Sequence, residues 1–350
     1  MSEIAGIIRN LIAADGPISV ARFMQLALSY PKHGYYMKGD PLGVSGDFTT
    51  APEISQMFGE LIGLWLADMW RQMGQPLRFT LLELGAGRGT LLADALRASE
   101  KVPGFHAAMK LKLIESNETL KALQREKLAA YKPDYIADLS ALPEHPVFFI
   151  ANEFFDVLPV HQYVKLADGW RERMVGLSDD KFVFVTGEAA VPLPLPDGAA
   201  FYEISPMAIA MVSDIAAHIA AYGGAALFID YGYSEAKGCS TLQAVSGHEP
   251  VNALERPGQV DLTAHVDFAS LKLAAQKHNV AVSPIIGQGA FLKALGIELR
   301  ARQLKMQGNL EQADAIDAAL HRLTDPSEMG ALFKVMAMAP KDCKDIAGFP

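Results

Sequence analysis

A doubly wound α/β fold, with a mostly parallel sheet covered by helices on both faces, is what this 350-residue sequence predicts. Three observations carry that prediction. Short strands apolar on both faces alternate with helical segments between residues 79 and 153, one strand runs through a glycine-rich turn into a helix, and 50% of the chain is hydrophobic against 20% charged. At this length a single core is near its practical limit, so one principal domain with insertions or a companion lobe is expected.

In chain order, residues 3 to 14 and 17 to 29 place apolar side chains at three- and four-residue spacings, and Gly16-Pro17 separates two helices. Residues 30 to 52 are rich in Gly, Pro, Asp and Thr, a loop long enough to suggest a site. A helix from Glu53 to Met73 follows, its stripe made by Met57, Leu61, Leu64, Trp65 and Met69, and Gly74 and Pro76 stop it. Then come the strand FTLLEL (79–84), a helix from Thr90, LKLIE (111–115), a helix from Glu118, a short strand YIAD (135–138) and VFFIANE (147–153). Residues 160 to 205 break the rhythm with HQYVKL, WRERMVGL and KFVFVTG, joined at Asp168-Gly169 and Asp179-Asp180, which reads as an inserted antiparallel meander. AALFID (225–230) resumes the sheet, a polar Gly-rich stretch runs to about residue 260, and helices are expected near 266–278, 289–306 and 309–323. FKVMAMA (333–339) closes the sheet as an antiparallel strand. The division expected is an N-terminal helical region with a covering loop (1–75), the first part of the core (76–160), the meander (161–205), the core continued (206–235), a helical substrate lobe (236–330) and the final strand with a tail (331–350).

The composition excludes several classes. With 31 basic and 40 acidic residues the net charge is −9, so nucleic acid is a poor partner. Cys239 and Cys343 form no C-x-x-C pair, which argues against a disulfide scaffold and a metal site. The apolar stretch 206–229 is broken by Asp214, His218 and Gly223-Gly224, short of the ~20 uninterrupted residues of a membrane span. Met1 to Ala5 carry neither a secretory nor a transit pattern, and a cytoplasmic protein is expected.

The strongest local signal is Glu83-Leu84-Gly85-Ala86-Gly87-Arg88-Gly89-Thr90. Glycines are needed where a ligand must approach the backbone more closely than a Cβ permits. A dinucleotide fingerprint would place its third glycine at position 90, where Thr stands. With the spacing G-x-G-x-G and an acid two residues before it, the segment resembles motif I of the class I S-adenosylmethionine (SAM) methyltransferases. That resemblance implies a Rossmann-like fold with an antiparallel last strand and SAM as cofactor. It also implies cofactor contacts at Glu83, Gly85, Ala86, Gly87 and Gly89, at Glu115 and Ser116 for the ribose, at Asp138 and Leu139 for adenine, and at Asn152. By themselves, Glu115 is an ordinary strand-end acid and Asp138 a capping residue.

Asn152-Glu153-Phe154-Phe155-Asp156-Val157-Leu158-Pro159 sits after the fourth strand, where an open α/β sheet presents chemistry. A guanidinium is planar and permanently charged, and carboxylates such as Glu153 and Asp156 suit it, although acids at helix starts also serve as caps. Taken with GDFTTAPEIS (46–55), ELGAGRGTL and GQVDLTAHVDF (258–268), these blocks resemble the MidA family, which includes the mitochondrial protein arginine methyltransferase that assists respiratory complex I assembly. The resemblance spans nearly the whole chain. It implies that Gly46, Asp47, Phe48 and Thr49 cover the cofactor, that a protein partner such as a complex I subunit is the substrate, and that Glu153, Asp156 and His265 are the candidate catalytic residues. His265 is the histidine within a motif block, between Asp261 and Asp267, and Tyr35 and Tyr36 are candidates for an aromatic wall. A small-molecule N- or O-methyltransferase, or a non-catalytic assembly chaperone that keeps the fold, are the alternatives.

Overall fold

The computed structural model describes residues 2–39, 50–191, 199–235, 237–247, 249–343 and 345–350. The candidates Gly46, Asp47, Phe48 and Thr49 lie outside the described residues. Contacts divide the chain into two compact units, one made by the described residues of 1–48, 155–209 and 235–267, the other by those of 49–154, 210–234 and 268–350.

The second unit holds the main sheet. Its strands are β1 (Phe79–Leu84), β2 (Met109–Ile114), β3 (Val147–Asn152), β4 (Gly224–Tyr233) and β5 (Phe333–Pro340). They lie in the order β5-β4-β3-β1-β2, with Val280–Val282 beyond β5 and Asp134–Tyr135 beyond β2. The pairs β1·β2, β1·β3 and β3·β4 are parallel and β4·β5 is antiparallel, the mostly parallel sheet expected. β1, β3 and β4 are buried throughout, because sequences such as FTLLEL and VFFIAN leave no polar face to turn to water. The register sets Leu84 beside Ile114 and Ala151, and Ile229 beside Asn152, so β1, β2 and β3 end at one level while β4 runs on past them. Ligand chemistry in such sheets belongs at that carboxyl edge.

Around this sheet Phe79 packs on Phe148 and Phe105, with ring centroids 5.1 Å apart in both pairs, and Trp70 lies 5.5 Å from Phe105. Helix α1 (Gln56–Gln72) crosses helix α2 (Thr90–Ser99) so closely that a Cβ on Gly63 would stand 2.1 Å from the Ala95 carbonyl oxygen. After residue 268 the expected helix 289–306 is two helices, Gln288–Ala294 and Ile297–Lys305, broken at Gly296, whose φ of 91° no helical residue adopts. Phe291, Leu292, Ile297, Ala301 and Leu323 share a core with β5.

In the first unit, Ser2 and Ser19 cap the helices Glu3–Asp15 and Val20–Ser29 through their hydroxyls. The second helix starts at Val20, three residues later than its apolar spacing suggests, because Ile18–Ser19 pairs antiparallel with Met174 and Val175. The meander is an antiparallel sheet in the order Ile18–Ser19, Gly169–Ser178, His161–Leu166, Phe201–Ile204, with Lys181–Ala190 on Gly169–Ser178. Asp179 and Asp180, at φ 47° and 60°, make the tight turn between paired Ser178 and Lys181. Residues expected to be a polar loop instead add a three-stranded sheet of Glu249–Val251, Gln243–Ser246 and Asp261–Thr263. No helix among the described residues is long and apolar enough to cross a membrane.

The α1·α2 contact yields a stability prediction. Gly63→Ala gains helix propensity yet must push a backbone carbonyl aside, and a net loss of about 1–3 kcal/mol is expected in urea unfolding. An unchanged or raised midpoint would show that the two helices separate freely.

Candidate functional site

The turn after β1 is built from glycines for a visible reason. Gly85, Gly87 and Gly89 have φ of 67°, 53° and 77°, values that L side chains adopt only with strain. The Gly85 amide donates to the Ile114 carbonyl at 3.0 Å and the Gly89 amide to that of Ala86 at 2.8 Å, so the turn is tied to both adjoining elements. A Cβ on Gly85 would lie 2.8 Å from the Phe154 ring. Ala86 is buried, and Thr90 opens helix α2 with its hydroxyl donating to Glu53 and accepting from Lys127.

Below this turn the carboxyl edge gathers acceptors that lack donors. Glu83 is 2% exposed, and its Oε2 is buried without a hydrogen-bond partner. Burial first, and then the charge of Glu115, push its pKa up to about 8. Half-buried Glu115 accepts from the amides of Ser116 and Asn117 on Oε1 and from Gln124 on Oε2, and burial raises its pKa despite those bonds. Asn152 ends β3 with Nδ2 donating to Glu153, while its Oδ1 is another buried acceptor without a partner. Gln124, on helix α3 (Glu118–Lys127), adds a third in Oε1. The set suits a ligand that brings hydrogen-bond donors and positive charge. Among the described residues no group of three His, Cys, Asp or Glu could hold a metal ion.

Ser116 is exposed, and its amide is spent on Glu115. Asp138 is also exposed and accepts from the hydroxyl and amide of Ser140, which lower its pKa in that order, while Leu139 opens the short turn that it caps.

Glu153 has a φ of 51°, uncommon for a residue with a Cβ. Its amide donates to the Ile229 carbonyl at 2.9 Å, and its Oε1 accepts from the Ala51 amide at 3.0 Å and from Asn152 at 3.1 Å. Strained residues of this kind persist where the surroundings over-determine them. Next to it, the Phe154 amide donates to Asp230, a fully buried carboxylate in the C-terminal half of β4 that also accepts from the Tyr231 amide.

Asp156 and His265 belong to the first unit. Asp156 is 5% exposed, and its carbonyl accepts from the Ala264 amide. The Tyr36 hydroxyl donates to Asp261 at 2.8 Å, and burial, then Asp261, then Asp156 raise its pKa well above the usual value. Tyr35 lies edge-on to Tyr36, so this pair is also a packing contact. The His265 amide donates to Thr241, and Nδ1 faces Lys237 Nζ at 2.8 Å. Sequence reasoning missed Gln124, Phe154 and the Glu53–Thr90–Lys127 link. Gln124 was detectable as the polar member of an otherwise apolar i, i+4 stripe with Leu120 and Leu128, whereas the other contacts join residues distant in sequence.

A family model described as S-adenosyl-L-methionine-dependent methyltransferase matches residues 61–286. The mitochondrial protein arginine methyltransferase NDUFAF7 of Mus musculus is 35% identical over 97% of this chain and 85% of its own length, and that of Homo sapiens is 35% identical over 94% and 81%. The crystal structure of a superfamily member from Burkholderia thailandensis bound to S-adenosyl-homocysteine superposes with a TM-score of 0.83 at 28% identity, covering 97% of this chain and 92% of that one. These relatives correct one expectation. A cytoplasmic location, read from Met1 to Ala5, is contradicted by curated relatives that are mitochondrial. The compartment is addressed by segments that the folded body does not need, so residues that fix a fold leave it undetermined.

The unpaired Glu83 makes a pH prediction. Its folded pKa of about 8 lies above the ordinary 4.5, so its neutral form stabilises the ligand-free protein fully below pH 4.5, and that contribution is lost as pH rises through 8. The melting temperature of the ligand-free protein should therefore fall between pH 5 and 9, and Glu83→Gln should flatten the fall. Parallel curves for the two proteins would contradict the assignment.

Proposed function

The chain belongs to the S-adenosyl-L-methionine-dependent methyltransferases and uses that cofactor, and from this premise we propose that it methylates arginine nitrogen on a protein partner, with a subunit of respiratory complex I as the substrate the MidA resemblance implies. Two curated relatives at 35% identity carry the name protein arginine methyltransferase, which supports this choice over a small-molecule substrate. The observation within the chain that carries it is Glu153, a carboxylate held in a strained conformation at the carboxyl edge beside Asn152. When bound, the cofactor supplies a methyl group on a sulfonium whose sulfur keeps the electron pair as the methyl leaves.

The residues of the chain do the rest. Gly85, Ala86, Gly87 and Gly89 let the cofactor lie against the backbone. Glu83 and Asn152 would offer acceptors to its ammonium group, Glu115 with the Ser116 turn would meet the ribose, and Asp138 and Leu139 would border the adenine. Glu153 accepts N–H groups of the guanidinium, so that the remaining nitrogen is directed at the methyl group, and Asp156 is the second carboxylate that the motif offers for this chemistry. The proton leaves that nitrogen only once the methyl is attached, so no strong base is required. His265 is the candidate in the last motif block for carrying that proton away. The MidA resemblance assigns Gly46, Asp47, Phe48 and Thr49 to cofactor contact and the meander of 161–205 to the substrate lobe.

Two variants separate binding from transfer. Gly87→Val places a branched side chain at a φ of 53° and should abolish calorimetric binding of S-adenosyl-homocysteine. Glu153→Gln should keep that binding within a few-fold and lower transfer by about 100-fold or more, measured as methylarginine by mass spectrometry of a complex I preparation incubated with isotope-labelled cofactor. A wild-type transfer rate in Glu153→Gln, or label in another residue type, would overturn the arginine reading.

A further inference from the structure

Gln124 is fully buried at the middle of helix α3, between Leu120 and Leu128 on the same stripe. A polar amide there is costly, and methionine or leucine would fill the position without penalty. What the amide gains is specific. Its Nε2 donates to the Gly87 carbonyl at 2.7 Å and to Glu115 Oε2 at 3.2 Å, joining the glycine turn to the acid at the end of the neighbouring strand. The same helix closes on the turn, for a Cβ on Gly89 would meet Leu128 at 3.3 Å and the Gln124 side chain at 3.6 Å.

The consequence falls on Glu115. Its Oε1 is occupied by the amides of Ser116 and Asn117, and its Oε2 by Gln124. A carboxylate has about four lone-pair sites, so these three bonds fix its plane and leave accepting capacity on Oε2, beside Gln124. Without the Gln124 bond the backbone amides still grip Oε1, but the carboxylate can turn about that anchor.

We propose that Gln124 is a positioning residue for cofactor recognition, which orients the Glu115 carboxylate for the ribose hydroxyls and locks it to the glycine turn through Gly87. Gln124 acts through Glu115 and need not touch the ligand. The inference rests on the assignment of Glu115 to the ribose made above, and the test separates the two.

S-adenosyl-homocysteine and its 2′-deoxy analogue are titrated calorimetrically into the full chain and into Gln124→Met, which keeps length and apolar bulk but has no donor. Gln124→Leu serves if Gln124→Met fails to fold, as judged by its melting curve. The expected result is a loss of about tenfold in affinity for S-adenosyl-homocysteine and less than about twofold for the deoxy analogue, because only the former can use an oriented carboxylate fully. Equal losses for both ligands would assign Gln124 a general packing role and overturn the inference, as would no loss for either. Glu115→Gln is the second arm. If it weakens both ligands equally, the ribose assignment itself fails; if it discriminates between them and Gln124→Met does not, the inference about Gln124 alone is overturned.

Discussion

Glu83 is a carboxyl withdrawn from water at the end of a strand buried on both faces, with another carboxylate as the neighbour that most disturbs its charge. Much of the carboxyl edge is arranged around that circumstance. The chain must turn sharply above it, and the turn is made of three glycines at positive φ with a phenylalanine ring pressed against the first. A side chain at the first would run into that ring, and one at the third would crowd Leu128 and Gln124. The unpaired acceptors of Glu83 and Asn152 give this edge a deficit of donors, which an ammonium would relieve.

The parallel register converts this local chemistry into a site. Because β1, β2 and β3 end in line and β4 runs alongside them, residues from four separated stretches of sequence arrive together: Glu83, Glu115, Asn152 with Glu153, and Asp230. The backbone then commits their side chains. Glu153 sits in a left-handed conformation because its amide is engaged by Ile229 and its carboxylate by Ala51, while Phe154 is held by Asp230. Glu153 thus combines a structural tie with the chemistry proposed for it. Removing its charge while keeping an acceptor, as glutamine does, is the substitution that tells these roles apart.

The elements of the fold are unevenly legible in the sequence, for physical reasons. The parallel strands were legible because burial on both faces leaves an uninterrupted apolar run, and the meander because Asp168-Gly169 and Asp179-Asp180 punctuate alternating segments. The start of the second helix was not, since Ile18 and Ser19 fit the apolar spacing but are drawn into pairing with Met174 and Val175, partners far away in sequence. The continuous helix expected over 289–306 was likewise broken by a single glycine whose backbone only packing could set. The strands at 243–251 escaped notice because their short polar segments carry little alternation and are stabilised by pairing alone.

The sequence by itself determined the cofactor class, because a glycine turn after a strand that ends in an acid is a local requirement written in consecutive residues. It also determined the family, through ordered blocks spread over nearly the whole chain. Only the tertiary structure decided how those residues are held: that Gln124 bridges Gly87 and Glu115, that Glu153 accepts from Ala51, that Lys237 faces His265 and that Asp261 accepts from Tyr36. Each of these is a hydrogen-bonding contact between side chains, or between a side chain and the backbone, whose partners come from different elements. Such contacts depend on distances of a few tenths of an ångström that spacing along a chain cannot encode.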